Sequence, residues 1–286
     1  MKNMKNCPCG SRRKISNCCE KFLNLTEECE MNYKTTLLLG WIKKYAPPIR
    51  SEFMQKMKSY IFRLSYCLDV LVERYLYFGL DINSKNDRSV DDTIYNIKHN
   101  TLLSIFAGLT CLEQGLFMQS GILFRSIIEN CMVIIDVCEH ENQMDKLVKD
   151  KYSVNGLVGR VKRLIPDCMV NWYGYFSTNF THFGPLHSAP IIPRMCWPDN
   201  WLLVTGIQNV TRACFALGIT LEKIHFDIVS NHFFWERKCE NKEIVFIEDG
   251  PIWEWLENFR EDIVSQYPPG EKKDGFTYTD KTYKLK

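Results

Sequence analysis

Four cysteines near the start of the chain carry the clearest chemistry in the sequence. Residues 7–19 read CPCGSRRKISNCC, so Cys7 and Cys9 bracket Pro8, and Cys18 and Cys19 follow as an adjacent pair. Four thiolates complete a closed tetrahedral zinc site. Pro8 stiffens the first pair, and Gly10 lets the chain turn back toward the second. The gaps within each pair are shorter than the usual spacing of about two to four residues. Spacing alone therefore leaves a second reading open, a redox-active or incidental thiol cluster.

A second group is ionic. Arg125 and Glu129 are four apart, which puts them on one face of a helix, and Asp136 falls on the same arc. His182 follows in the stretch TNFTHFG. An arginine on a phosphate with a histidine as general acid-base would make Arg125, Glu129 and His182 a composite catalytic site. The plainer reading is a structural ion pair beside a satisfied core histidine. Glu222 and His225 have the Glu-x-x-His spacing of di-iron carboxylate bundles. Such a site needs a second copy and two further carboxylates in register; the sequence has one copy, so we read the spacing as chance. His182, His187 and Cys196 form a weaker metal candidate, with Gly184 and Pro185 leaving their geometry open. There is no glycine-rich phosphate loop and no G-x-S-x-G elbow. Cys111, Cys131, Cys138 and Cys214 lie in apolar runs and read as small core residues.

Two resemblances bear on these residues. The segment at Cys7, Pro8, Cys9, Gly10, Ser11, Lys14, Cys18 and Cys19 resembles the SEC-C motif, the small zinc knuckle at the C-terminus of the SecA motor and on many other bacterial proteins. It departs from the pattern at Arg12, where the family prefers glycine, and at Ile15, where it prefers an aromatic. The resemblance implies one zinc on Cys7, Cys9, Cys18 and Cys19, and a surface that binds a chaperone or the ribosome. A knuckle this short has no core of its own, so metal supplies its folding energy, about 10–16 kcal/mol in zinc-finger peptides. Lys2, Lys5, Arg12, Arg13, Lys14 and Lys21 face only Glu20 in this stretch. Such a basic knob suits phosphate, RNA or an acidic partner, or is simply a solvated surface.

The second resemblance joins FRSIIENCMVI to YFSTNFTHFG, and extends roughly over 89–223. It is similar to DUF5677, a family of helical bacterial proteins in which an Arg-x-x-x-Glu helix precedes a Ser/Thr-rich helix ending in His. That family in turn resembles the HEPN helical nucleases, many of them toxins or phage-defence proteins. The HEPN signature places an arginine four to six residues before a histidine on one helix. No histidine of this chain has an arginine at that distance, and this counts against a nuclease.

These residues need elements to position them. The chain has 286 residues, 45% hydrophobic and 24% charged, with net charge +2. That is an ordinary globular composition with room for a large core, and no whole-molecule field drives it to nucleic acid. The 13 cysteines include a cluster and many dispersed thiols, and no secretory pattern opens the sequence. We expect a reducing cytosol and no membrane association. The stretch 116–138 is apolar nearly all round, interrupted by Arg125, Glu129 and Asp136, and reads as the central helix of a bundle. Periodic spacing predicts further helices over 32–45, 49–80, 89–113, 199–232 and 252–264, with shorter ones near 141–152 and 153–165. Pro47 and Pro48 are expected to end the first of them. Residues 81–92 read as a loop, 183–198 as a proline-rich loop, and EIVFIEDG as a short extended segment.

The expected fold is all-α, a multi-helix bundle of roughly six to nine helices. The domains expected are the knuckle at 1–22, a helical connector or first bundle helices at 23–88, the main domain at 89–267 and a polar tail at 268–286. Two functions are carried forward. One is a docking protein whose knuckle binds a chaperone, the ribosome or RNA. The other is a HEPN-like ribonuclease acting as a toxin or phage-defence effector. Helical families of this sort often dimerise, so a homodimer is also expected.

Overall fold

Apolar residues repeating every three or four positions build the body of the protein. The computed structural model describes residues 46–76, 88–181, 200–228, 232–239 and 242–267. The chain divides into two units, 1–45 and 46–286, and every described residue belongs to the second. Cys7, Cys9, Cys18, Cys19, His182, His187 and Cys196 lie outside the described residues, as do the helix expected at 32–45 and the tail.

Helix α1 (Ala46–Leu76) opens with Pro47 and Pro48. Proline suits a first helical turn, where its missing N–H would have had no partner. The two prolines expected to end a helix thus begin one. Ile49, Phe53, Met57, Tyr60, Leu64 and Leu68 bury its inner stripe. Helix α2 (Arg88–Glu113) stops at a turn in which Gly115 takes φ 76°, the left-handed region that glycine enters without strain. Helix α3 (Phe117–Glu139) follows. Short helices α4 (Glu141–Val148) and α5 (Leu157–Val161) lead to α6 (Asp167–Phe176). The last of these runs on as a π-helical turn, Ser177–Thr181. Helix α7 (Asn200–Ile224) precedes an antiparallel pair, β1 (Trp235–Arg237) and β2 (Ile244–Phe246), and α8 (Pro251–Gln266) closes the described chain.

Helix makes up 77% of the described residues, far above the roughly one-third of an average protein. The fold is all-α, with eight α-helices and one two-stranded ribbon among the described residues. Helix α3 packs against α2, α4, α5, α6, α7 and the π turn, as expected of a central helix. It shares that position with α7, whose residues 202–207 and 209–222 are all buried. Residues 202–224 alone among the described helices are long and apolar enough to cross a membrane, and 94% of their apolar window is covered by protein.

Close approach of backbones fixes how α3 packs. A Cβ on Gly121 would overlap the Phe180 ring of the π turn, and one on Gly108 of α2 would overlap Phe124. Phe124, Phe176 and Phe180 are fully buried and meet in tilted ring contacts, with Phe117 against Phe180 at 5.4 Å between centroids. Helix α8 docks on α1, where the Tyr60 hydroxyl donates to the Asp262 carbonyl at 3.2 Å and Tyr60 meets Phe259 edge-on.

Helix α7 ends at Ile224 rather than near 232. The cause is Glu222. Its fully buried carboxylate accepts hydrogen bonds from the backbone N–H groups of Phe233, Phe234 and Trp235, at 2.8–3.0 Å. The Trp235 indole N–H adds a bond of 2.8 Å to the Ile219 carbonyl. These bonds draw the chain back onto the end of α7 and start β1. The extended segment expected at EIVFIEDG is therefore the second strand of a hairpin whose first strand, Trp235–Arg237, has too little alternation to stand out.

Candidate functional site

The polar arc of α3 separates into two knots. Arg125 and Glu129 pair at 2.8 Å, with side chains 24% and 18% exposed. Tyr173 of α6 lies across them. The Arg125 Nη2 donates to the Tyr173 hydroxyl at 2.7 Å, and that hydroxyl donates to Glu129 Oε2 at 2.9 Å. The guanidinium also stacks on the Tyr173 ring, 5.0 Å from its centroid. From the π turn, the Ser177 hydroxyl accepts from Arg125 Nε at 3.3 Å. Burial first, then Glu129, raises the Tyr173 phenol above its ordinary value, so at neutral pH it stays protonated and acts as a donor rather than a base.

Asp136 belongs to a different knot, because seven residues carry it about 10 Å further along the helix axis. It is fully buried, and its Oδ2 accepts from the Tyr152 hydroxyl at 2.7 Å and from Arg160 Nε at 2.8 Å. His140 Nδ1 approaches Oδ1 at 3.0 Å. Arg160 also donates to the carbonyls of Asn155 and Ser153. This knot ties the 150–156 turn to α3. A buried carboxylate needs such a complete set of partners, since an unpaired one would be costly.

His182 directly follows Thr181, the last residue of the π turn, and lies outside the described residues. The structure thus brings Arg125 and Glu129 together with Tyr173 and Ser177. Neither of the latter two stood out in the sequence. Their spacing of four places both on one face of α6 and its continuation, a signal present but too common to single out.

Glu222 and His225 do not converge. Glu222 holds the hairpin backbone, while His225 Nε2 lies 3.3 Å from the Nζ of Lys98 on α2. Lys98 is only 3% exposed, and nothing in its local sequence singled it out. Burial, reinforced by the Lys98 charge, lowers His225 to about 4; it is neutral at pH 7. Among the described residues no group of three or more His, Cys, Asp or Glu side chains is arranged to hold a metal.

The thiols of Cys111, Cys131 and Cys168 are poorly suited to nucleophilic work. Burial pushes Cys131 and Cys168 up to about 12 and raises Cys111. Cys131 and Cys214 are buried as expected; Cys111 is half-buried, and Cys138, one residue before the end of α3, is exposed instead.

Compared with family models, with curated proteins and with solved structures, the chain matches none of them.

Proposed function

We propose that the chain is a docking protein, in which an N-terminal zinc knuckle recruits an all-α domain to a chaperone, the ribosome or RNA. The register of Cys7, Cys9, Cys18 and Cys19 with Pro8 and Gly10 carries this reading. The donor set is four thiols, which suits zinc and gives a closed structural site with no open position for chemistry. Support also comes from the helical domain. Arg125 directs its donors at Glu129, Tyr173 and Ser177, the pattern of an internal strap more than of a phosphate clamp.

The test is binding of the full zinc-loaded chain to ribosomes, to RNA oligonucleotides and to purified chaperone, beside Cys18→Ser. One of the three is expected to bind wild type and to lose the variant. Equal behaviour of the two proteins toward all three partners would sink the proposal.

The ribonuclease reading is favoured by one specific observation. The helix that faces Arg125 passes into a π turn immediately before His182, and single π turns are frequent at functional sites. RNA cleavage and growth arrest by wild type, abolished in His182→Ala and Arg125→Ala, would establish it. A wild type that neither cuts RNA nor slows growth ends it.

A further inference from the structure

Helix α1 turns one stripe inward, with Phe53, Met57, Tyr60 and Leu64 buried. Its opposite side carries Phe62 and Tyr66, 73% and 69% exposed, the two most exposed large hydrophobic side chains among the described residues. Single exposed apolar residues are ordinary on a protein surface. These two are four apart, so their rings are neighbours on one face. Ser59 and Ser65, each three residues from Phe62, are exposed beside them with short side chains.

Charges of opposite sign close the face at its two ends. Lys58 lies one turn before Phe62, and Asp69 lies about one turn after Tyr66; both are exposed. At about 100° per residue, the side chains named from Lys58 to Asp69 share an arc of about 120°. Eleven residues separate the two charges, about 16 Å along the helix, so they cannot pair with each other. Nearby charges are matched within the chain: Lys56 pairs with Glu52 at 2.7 Å and Arg63 with Asp262 at 2.8 Å. Lys58 and Asp69 form no ion pair among the described residues.

We propose that this face docks on a second copy of itself, with two antiparallel α1 helices related by a two-fold axis at the level of Leu64. Leu64 is the midpoint of Phe62 and Tyr66, so the axis sets each Phe62 beside the partner's Tyr66. It also brings Lys58 level with the partner's Asp69, to within about 1.5 Å along the helix. Lys58 and Asp69 lie on the same flank of the arc, and the two-fold keeps that flank on one side. Both ion pairs therefore form, one at each end. A parallel pairing would set lysine against lysine and aspartate against aspartate. The match of each end to the other end of the same stripe favours a second copy over an unrelated partner. Aromatic rings fill the centre and charges the rim, the usual anatomy of an interface. One helix pair buries no more than the low end of specific interfaces, about 1,200 Å² in total, so the dimer is weak and reversible. The surface is independent of the knuckle and of Arg125, and it gives the expected homodimer a face.

The test is sedimentation equilibrium of the full chain from about 1 to 300 µM, for wild type, Lys58→Asp, Asp69→Lys and an equimolar mixture of those two variants. Wild type is expected to dimerise reversibly with Kd of about 1–100 µM. Each variant alone sets like charges together at both pairs and self-associates about tenfold more weakly or worse. In the mixture every introduced charge meets its opposite, and association returns to within about threefold of wild type. Phe62→Ser removes self-association over the same range. All these positions are exposed, so the variants keep the fold, checked by their melting curves. Wild type monomeric throughout, a dimer that neither charge variant weakens, or a mixture no tighter than its components would overturn the proposal.

Discussion

Tyr173 shows how one hydroxyl organises a charged pair. It accepts from Arg125 and donates to Glu129, so both ions of a half-buried pair are satisfied through it. Tyr173→Phe keeps the ring under the guanidinium and removes only those two bonds. Its expected cost is about 1 kcal/mol, the net worth of a hydrogen bond in a partly solvated place, read from the urea midpoint. A change of that size is the signature of a strap; a variant as stable as wild type would say the bonds are incidental. His225 makes a pH prediction. Its unfolded value is near 6.5 and its folded value about 4, so between these the unfolded chain binds the extra proton. Stability is complete above about pH 6.5 and falls as pH drops toward 4, by roughly 3 kcal/mol at most. Urea midpoints measured at pH 7 and pH 5 should fall more in wild type than in His225→Gln. At this scale the Arg125–Glu129 pair was legible, because spacing on an apolar helix is itself a signal. Lys98 and His225 were not, since 127 residues separate two groups that meet only in the folded core.

At the scale of elements, helices read well from the sequence and their ends read less well. Apolar periodicity located α1, α2, α3, α7 and α8 because each buries one continuous stripe or its whole circumference. What the periodicity could not carry was the stop of α7, which depends on the Glu222 carboxylate capturing three N–H groups from residues eleven to thirteen positions on. A side-chain acceptor acting on a later backbone leaves no local pattern. Nor could it reveal that Gly121 is a contact surface. Gly121→Ala must push against the fully buried Phe180 ring and is expected to cost about 1–3 kcal/mol, the penalty of overpacking. Gly159→Ala, on α5 with nothing near its added methyl, should be neutral or stabilise by up to about 1 kcal/mol. Thermal melts of the two variants side by side check the contrast, and equal melting would mean that α3 and the π turn are not held at close range.

At the scale of the molecule, a buried two-helix centre explains why a chain with net charge +2 and 24% charged residues still contains a helix apolar enough for a membrane. Helix α3 and helix α7 are wrapped by the remaining helices; Arg125 and Glu129 of α3 neutralise each other, and Asp136 is paired with Arg160 of α5. The domain so built offers rigid support, while burial raises the Cys131 and Cys168 thiols well above their ordinary value. The chemistry most visible in the sequence sits instead in the four cysteines at 7–19. They stand out because the zinc set proposed for them would require four thiols in fixed register, a constraint local enough to show in one short segment. The recruiting role proposed for the protein stands on that segment. Elemental analysis of the purified full chain is the measurement that tests it most directly. One zinc per chain is expected in wild type and none in Cys18→Ser, with the helical content of the 46–267 domain unchanged; wild-type protein that carries no zinc would contradict the account.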